Sequence, residues 1–136
     1  MEDSKALYIK MGKNKEVYIS DADKAELGII VAKLAAKSSR IFLSELFFYC
    51  AIRLRDHKEL PVFTPDVDFV REGSVNVNYS YNPDAEFYLR VGAALCRTNL
   101  ANYLRAILHF LCEKHRESGS LWIDSTPVHE LPITRR

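Results

Sequence analysis

No stretch of this chain is long and apolar enough to cross a bilayer. The greasiest segment, Ile41 to Leu54, is interrupted by Ser44, Glu45 and Arg53 and falls short of the ~20 residues that a spanning helix needs. Glycine and proline are scarce, five of each in 136 residues, which sets aside collagenous and low-complexity chains. The three cysteines, Cys50, Cys96 and Cys112, form no CxxC and no paired spacing, so a disulfide scaffold is not indicated. They are expected as reduced core thiols of a cytoplasmic protein. The opening Met-Glu-Asp-Ser-Lys lacks the apolar run of a signal peptide, which supports the same expectation. Catalytic motifs are missing too: there is no Gly-rich phosphate loop, GxSxG elbow or HExxH. His109 and His115 stand six apart, and His57 and His129 are isolated, so no metal-ligand spacing emerges. His109, in an apolar helical stretch, reads as a packed or partly exposed imidazole. Scattered carboxylates nominate no acid/base pair. A non-enzyme without metal or cofactor is the expectation.

Excess charge of one sign is absent as well, the formal net charge being +1. Divided at Lys58, the first part holds 11 basic and 8 acidic side chains and the rest 8 and 10. The positive bias is modest and N-terminal. A dedicated nucleic-acid binder usually shows a larger basic excess.

What is present is periodicity. Val75 to Ser80 alternates strictly, with Val75, Val77 and Tyr79 on one side and Asn76, Asn78 and Ser80 on the other, the pattern of a half-buried strand. Asn82-Pro83 then starts a helix, asparagine as cap and proline in the first turn. Asparagine is a poor strand former, so two on the outward face invite a functional reading. An Asn side chain can bond bidentately to adenine in a major groove. An ordinary polar outer face is the plainer alternative.

The remaining elements follow in order. Leu7 to Met11 reads as a short strand, and Lys15 to Ser20 as a second, with Val17 and Ile19 inward and Glu16, Tyr18 and Ser20 outward. Asp21 and Asp23 are cap candidates, with Glu26 completing a capping box. Leu27, Ile30, Val31 and Leu34 form one face of a helix ending near Lys37. After Ser38-Ser39-Arg40, a second helix carries Leu43, Phe47, Cys50, Ala51 and Leu54 to about His57. Residues 59–73, with Pro61 and Pro65, read as a linker in which Val67 to Val70 form a short strand. Beyond the Asn-bearing strand, Tyr88, Val91 and Leu95 define the common face of a third helix. A break at Arg97-Thr98-Asn99 leads to a fourth carrying Leu100, Leu104, Ile107, Leu108 and Leu111. Residues 118–136 show no helical period, Leu121-Trp122-Ile123 being a strand or a cover for the core and Thr134-Arg135-Arg136 either a frayed tail, the favoured reading, or a phosphate-seeking arm.

The second half thus repeats the first. At a shift of 57 to 58 residues Val17 falls on Val75, Leu43 on Leu100, Phe47 on Leu104 and His57-Lys58-Glu59 on His115-Arg116-Glu117. Both exits contain a Thr-Pro. An internal duplication is the inference, with units at 1–58 and 74–117 forming one pseudo-symmetric domain. The expected fold is α+β and mostly helical, with a central antiparallel two-stranded ribbon and four core helices.

A strand, a helix, a tight turn and a second helix, used twice, resembles the ribbon-helix-helix DNA-binding family. Its members are normally homodimers; two copies in one chain resemble the tandem accessory proteins of plasmid conjugation and T-DNA transfer. The resemblance spans roughly residues 15 to 57 and 74 to 116. It implies a monomeric pseudo-dimer that binds double-stranded DNA, alone or within a nucleoprotein complex, as a transcriptional regulator or an accessory factor in DNA transfer. Carried over by position, the base readers are Asn76 and Asn78, with Tyr18 and Ser20 on the other strand. The phosphate-binding positions are Ser39 and Arg40 in the first copy and Arg97, Thr98 and Asn99 in the second. Independently of the family, a helix N-terminus gathers amide donors and the positive dipole end, although Ser39 and Thr98 also read as plain N-caps. Three departures stand out: neither inter-helix turn has a glycine, Glu16 occupies a reader position, and Phe47-Phe48 is bulky for the second helix. Together they imply an asymmetric reader and a non-palindromic site. The alternatives are a protein-interaction adaptor of the same fold without DNA binding, and an unrelated α+β domain in which the repeat is coincidental.

Overall fold

The computed structural model describes residues 14–57, 75–80 and 82–119. The expected strands at 7–11 and 67–70, the whole linker at 59–73 and the segment from 120 onward lie outside the described residues. The elements run β1 (Asn14–Ile19), α1 (Asp21–Lys33), α2 (Ser39–His57), β2 (Val75–Ser80), α3 (Pro83–Leu95) and α4 (Leu100–Ser118). The described part is α+β and mostly helical, with one two-stranded antiparallel sheet and four helices.

The strands pair with Glu16 opposite Asn78, Val17 opposite Val77 and Tyr18 opposite Asn76. Because side chains alternate, Val17, Ile19, Val77 and Tyr79 all enter the core, while Glu16, Tyr18, Asn76 and Asn78 face outward. Beneath the ribbon, α2 is buried at every position from Phe42 to Ala51, as befits a helix surrounded by protein. Phe47 meets Tyr79 edge-on, with ring centroids 5.0 Å apart. From α4, Tyr103, Leu104, Ile107, Leu108 and Leu111 complete the core.

Local chemistry fixes the helix ends. The cap of α1 is Ser20, whose Oγ accepts the Asp23 amide at 3.1 Å, and not Asp21 or Asp23 as expected. Asp23 is instead turned inward, because its carboxylate has partners on α4. The helix stops at Lys33, short of Lys37. Ala35 takes a left-handed φ of 56°, and the Ala36 amide closes on the Val31 carbonyl at 3.1 Å. The turn after α3 does the same: Arg97 has φ 61°, and the Thr98 amide bonds the Ala93 carbonyl at 2.9 Å. Both turns therefore adopt the glycine-type closure without glycine, at a cost of about 1–2 kcal/mol per left-handed residue.

Two expectations need correction. The apolar face expected for α3 is only in part its core face: Tyr88 packs half-buried against the core, but Val91 and Leu95 do not. Val91 is 41 % and Leu95 56 % exposed, whereas Ala85, Leu89, Gly92 and Ala93 are buried. Small residues let the helix approach Leu54 of α2 and Tyr103 of α4 closely, which the larger side chains would prevent. The repeat register also differs. The first helix of each half has 13 residues and the second has 19, starting at 21 and 83, then at 39 and 100. The helix starts are thus 62 (83 − 21) and 61 (100 − 39) residues apart, a spacing that would set Leu43 on Leu104 and Phe47 on Leu108 in place of the expected alignment. Leucines recurring every four residues along α4 make a slip of one turn nearly invisible in the sequence.

Candidate nucleic-acid interface

The outer face of the ribbon is uncovered by any described element. Across its centre lie two cross-strand pairs, Glu16 with Asn78 and Tyr18 with Asn76. Tyr18 is 43 % exposed, and its hydroxyl donates to Glu16 Oε1 at 3.2 Å. Neither Asn76 nor Asn78 has a side-chain hydrogen bond among the described residues, and both are exposed. Each carboxamide keeps two donors and an acceptor for an external partner.

Helix side chains pin the strands. Arg105, buried on α4, donates through Nε to the Tyr18 carbonyl and through Nη1 to Asn102 Oδ1 at 2.9 Å. Ser44 Oγ accepts the Ser80 amide at 2.8 Å and donates to the Arg40 carbonyl. Lys24 Nζ lies 3.5 Å from the Asn76 carbonyl. As a result, the N-terminal turn of α2 sits at the Ser80 end of the ribbon, and that of α4 at the Tyr18 end.

The expected site residues fare differently. Asn76, Asn78 and Tyr18 share the exposed face. Ser20 does not join them, because its hydroxyl caps α1. Ser80, outward by alternation, is buried and accepts Arg40 Nη1 at 2.7 Å. Arg40 is thereby committed to the ribbon and half-buried. Ser39 is exposed in the first turn of α2, but the capping hydroxyl there is Ser38, which accepts the Ile41 amide at 3.2 Å. In the second half the cap is Asn99, not Thr98, its Oδ1 accepting the Asn102 amide at 2.8 Å. Arg97 projects into solvent from its left-handed turn, and Thr98 is half-buried. Each helix start leaves amides of its first turn without an intrahelical acceptor.

A second polar cluster, between α1 and α4, is absent from the sequence expectations. Asp23 Oδ2 lies 2.9 Å from His109 Nδ1, and its Oδ1 is 3.3 Å from Arg116 Nη2. One turn along, Glu26 Oε2 is 2.6 Å from His115 Nδ1. Lys33 Nζ is 3.3 Å from His115 Nε2 and donates to the Gly119 carbonyl. Burial alone would raise the Asp23 carboxyl, but hydrogen bonds and charge from His109 and Arg116 outweigh it and hold it below 3.8. The Asp23 hydrogen bond, opposed by partial burial and aided by the Asp23 and Glu113 charges, holds His109 above 6.5. The available signal was spacing: Asp23, Leu27 and Ile30 lie on one helical face, as do His109, Cys112, His115 and Arg116.

This cluster fastens helices. Among the described residues no group of three or more His, Cys, Asp or Glu is placed to hold a metal ion. All three thiols are buried, and burial pushes Cys112 up to about 12, so it stays protonated and a poor nucleophile. No helix among the described residues is long and apolar enough to cross a membrane. Comparison with protein-family models, curated proteins and solved structures gives no match.

Proposed function

We propose that this protein binds duplex DNA by laying its two-stranded ribbon in the major groove, as a single-chain pseudo-dimer of two ribbon-helix-helix units. Its role would be that of a transcriptional regulator or an accessory factor in DNA processing and transfer. The observation carrying this reading is the pair Asn76 and Asn78, exposed on the uncovered face of a ribbon whose other face is core. A ribbon fits the ~12 Å groove, and an amide can pair bidentately with adenine. The pinned strand edges support it, since a rigid reader loses less entropy on binding. So do the helix starts at the two ends of the ribbon, each offering amides to a backbone phosphate. Glu16, facing Asn78, can accept from cytosine N4. The two strands present different groups, which makes the proposed site non-palindromic.

Fluorescence anisotropy with a random duplex pool at several salt concentrations, followed by selection, tests the proposal. The expected result is salt-sensitive binding and one enriched, non-palindromic motif. On that motif Asn78→Ala should cost about 1–3 kcal/mol and relax base preference at one position. Arg97→Ala should weaken all sequences alike and reduce the salt slope by about one unit. Absence of binding at low salt overturns the reading. It would favour the adaptor alternative, which Glu16 on the exposed face and the +1 net charge support; an adaptor should also fail to adhere to heparin.

A further inference from the structure

We propose that the outer face of α3 is a self-association surface, on which a second copy of this chain docks antiparallel about a two-fold axis through Val91. Phe87, Val91 and Leu95 are 61 %, 41 % and 56 % exposed, three of the five large exposed hydrophobics among the described residues. Spaced four apart, they form one continuous ridge along the helix. The opposite face of α3, carrying Ala85, Leu89 and Ala93, is already core. This helix is therefore apolar on two sides, and such helices are normally covered on both. The matching positions of α1 at an offset of 62 are Ala25, Ile29 and Lys33, and Lys33 is bonded to Gly119. The ridge is particular to the second half.

Charge selects the occupant and its direction. Asp84 stands exposed in the first turn of α3, and Arg97 is exposed just beyond its end. An antiparallel second copy centred on Val91 sets Phe87 against Leu95 of the other molecule. It also brings each Asp84 toward Arg97 of the other molecule and opposes the helix dipoles favourably. A parallel arrangement would put Asp84 beside Asp84. Arg90, next to the ridge, is held by Glu86 at 2.7 Å, so the rim carries no uncompensated repulsion from it. The surface is its own complement, as a two-fold interface requires. One helix face buries less than the ~1,200 Å² typical of a stable interface. The pairing is accordingly weak, and it is populated when two molecules are concentrated or held side by side.

Cysteine crosslinking reads the register directly, because Cys50, Cys96 and Cys112 are all buried. Val91→Cys lies on the axis and should crosslink with itself under mild oxidation at least about tenfold faster than Ile29→Cys, a control on α1 that is the more exposed of the two, at 55 % against 41 %. Phe87→Cys mixed with Leu95→Cys should crosslink faster than Phe87→Cys alone. In sedimentation velocity the parent should shift toward dimer between about 10 µM and about 1 mM. Val91→Glu should stay monomeric throughout with an unchanged melting temperature, because the side chain is exposed. Equal crosslinking of Val91→Cys and Ile29→Cys, or a parent that stays monomeric across that range, overturns the proposal. Phe87→Cys reacting fastest with itself overturns the antiparallel register. None of these readouts involves DNA, so they stand or fall apart from the ribbon.

Discussion

Gly92→Val is expected to lower the stability of the fold by about 3 kcal/mol, the upper end of the usual overpacking cost. A Cβ placed at Gly92 would stand 2.6 Å from Tyr103 Oη, 2.8 Å from Tyr103 Cζ and 2.9 Å from Leu54 Cδ1. Tyr103 is fully buried on α4, and Leu54 is buried on α2. Neither side chain can swing into solvent, so α3 must lift away from both helices. Gly28 occupies α1, and a Cβ there meets nothing within 4 Å. Gly28→Ala should therefore stabilise by about 0.5–1 kcal/mol through helix propensity alone. Urea unfolding monitored by circular dichroism measures both, and equal effects at the two glycines would contradict the close approach of α3.

Asp23→Asn is the second large effect, a loss of about 2–3 kcal/mol near pH 5.5. It converts charge-assisted hydrogen bonds at a buried site into weaker neutral ones. The Arg116 arm contributes least, being 41 % exposed and screened by solvent. The pH dependence has a definite sign. His109 is held above its ordinary 6.5, so its contribution is complete below that value and is lost as pH rises through the raised folded value. Asp23 is held below 3.8, so its contribution is present above 3.8 and is lost as pH falls through the depressed value. Stability attributable to the pair is thus greatest between about pH 4 and 6.5 and declines on both sides. In Asp23→Asn the decline above pH 6.5 should flatten; a slope identical to the parent's would show that the His109 contact carries no stability.

The sequence was informative wherever a side chain has one environment available to it. Val75 to Tyr79 alternates in structure as on paper, and Asn82-Pro83 starts α3 because capping and a preset φ are local properties. Leu43, Phe47, Cys50, Ala51 and Leu54 are all buried, since a helical stripe that wide can only face inward. The sequence misled where two readings of one period were equally good. On α3, large residues at 91 and 95 suggested the core face, but Gly92 and Ala93 make the contact because helix approach depends on small side chains. On α4, the one-turn degeneracy of the leucine pattern hid the 61–62 offset. Thr64-Pro65 and Thr126-Pro127 stand 62 apart (126 − 64) in the sequence, the same spacing as the starts of α1 and α3. In the candidate site, the exposure of Asn76, Asn78 and Tyr18 was legible from alternation. Capping by Ser20 and Asn99 was a competition among neighbouring polar residues that spacing could not decide. The Asp23–His109 pair joins residues 86 positions apart, and no local pattern reports such a contact.

Both strands of the ribbon belong to one polypeptide, and that has a consequence in mass action. A fold that needs strands from two separate chains loses stability on dilution, because folding and association are then a single equilibrium. Here the partner strand is covalently supplied, and its effective concentration is fixed by the connecting chain however dilute the sample. The melting temperature should be the same at about 1 µM and about 50 nM, where a two-chain ribbon of similar make-up would already be dissociating. Covalent linkage also frees the two halves from having to be identical. The seam of α1 against α4 can then be fastened by His–carboxylate pairs and that of α3 against α2 by close approach at a glycine, at a stoichiometry that never varies.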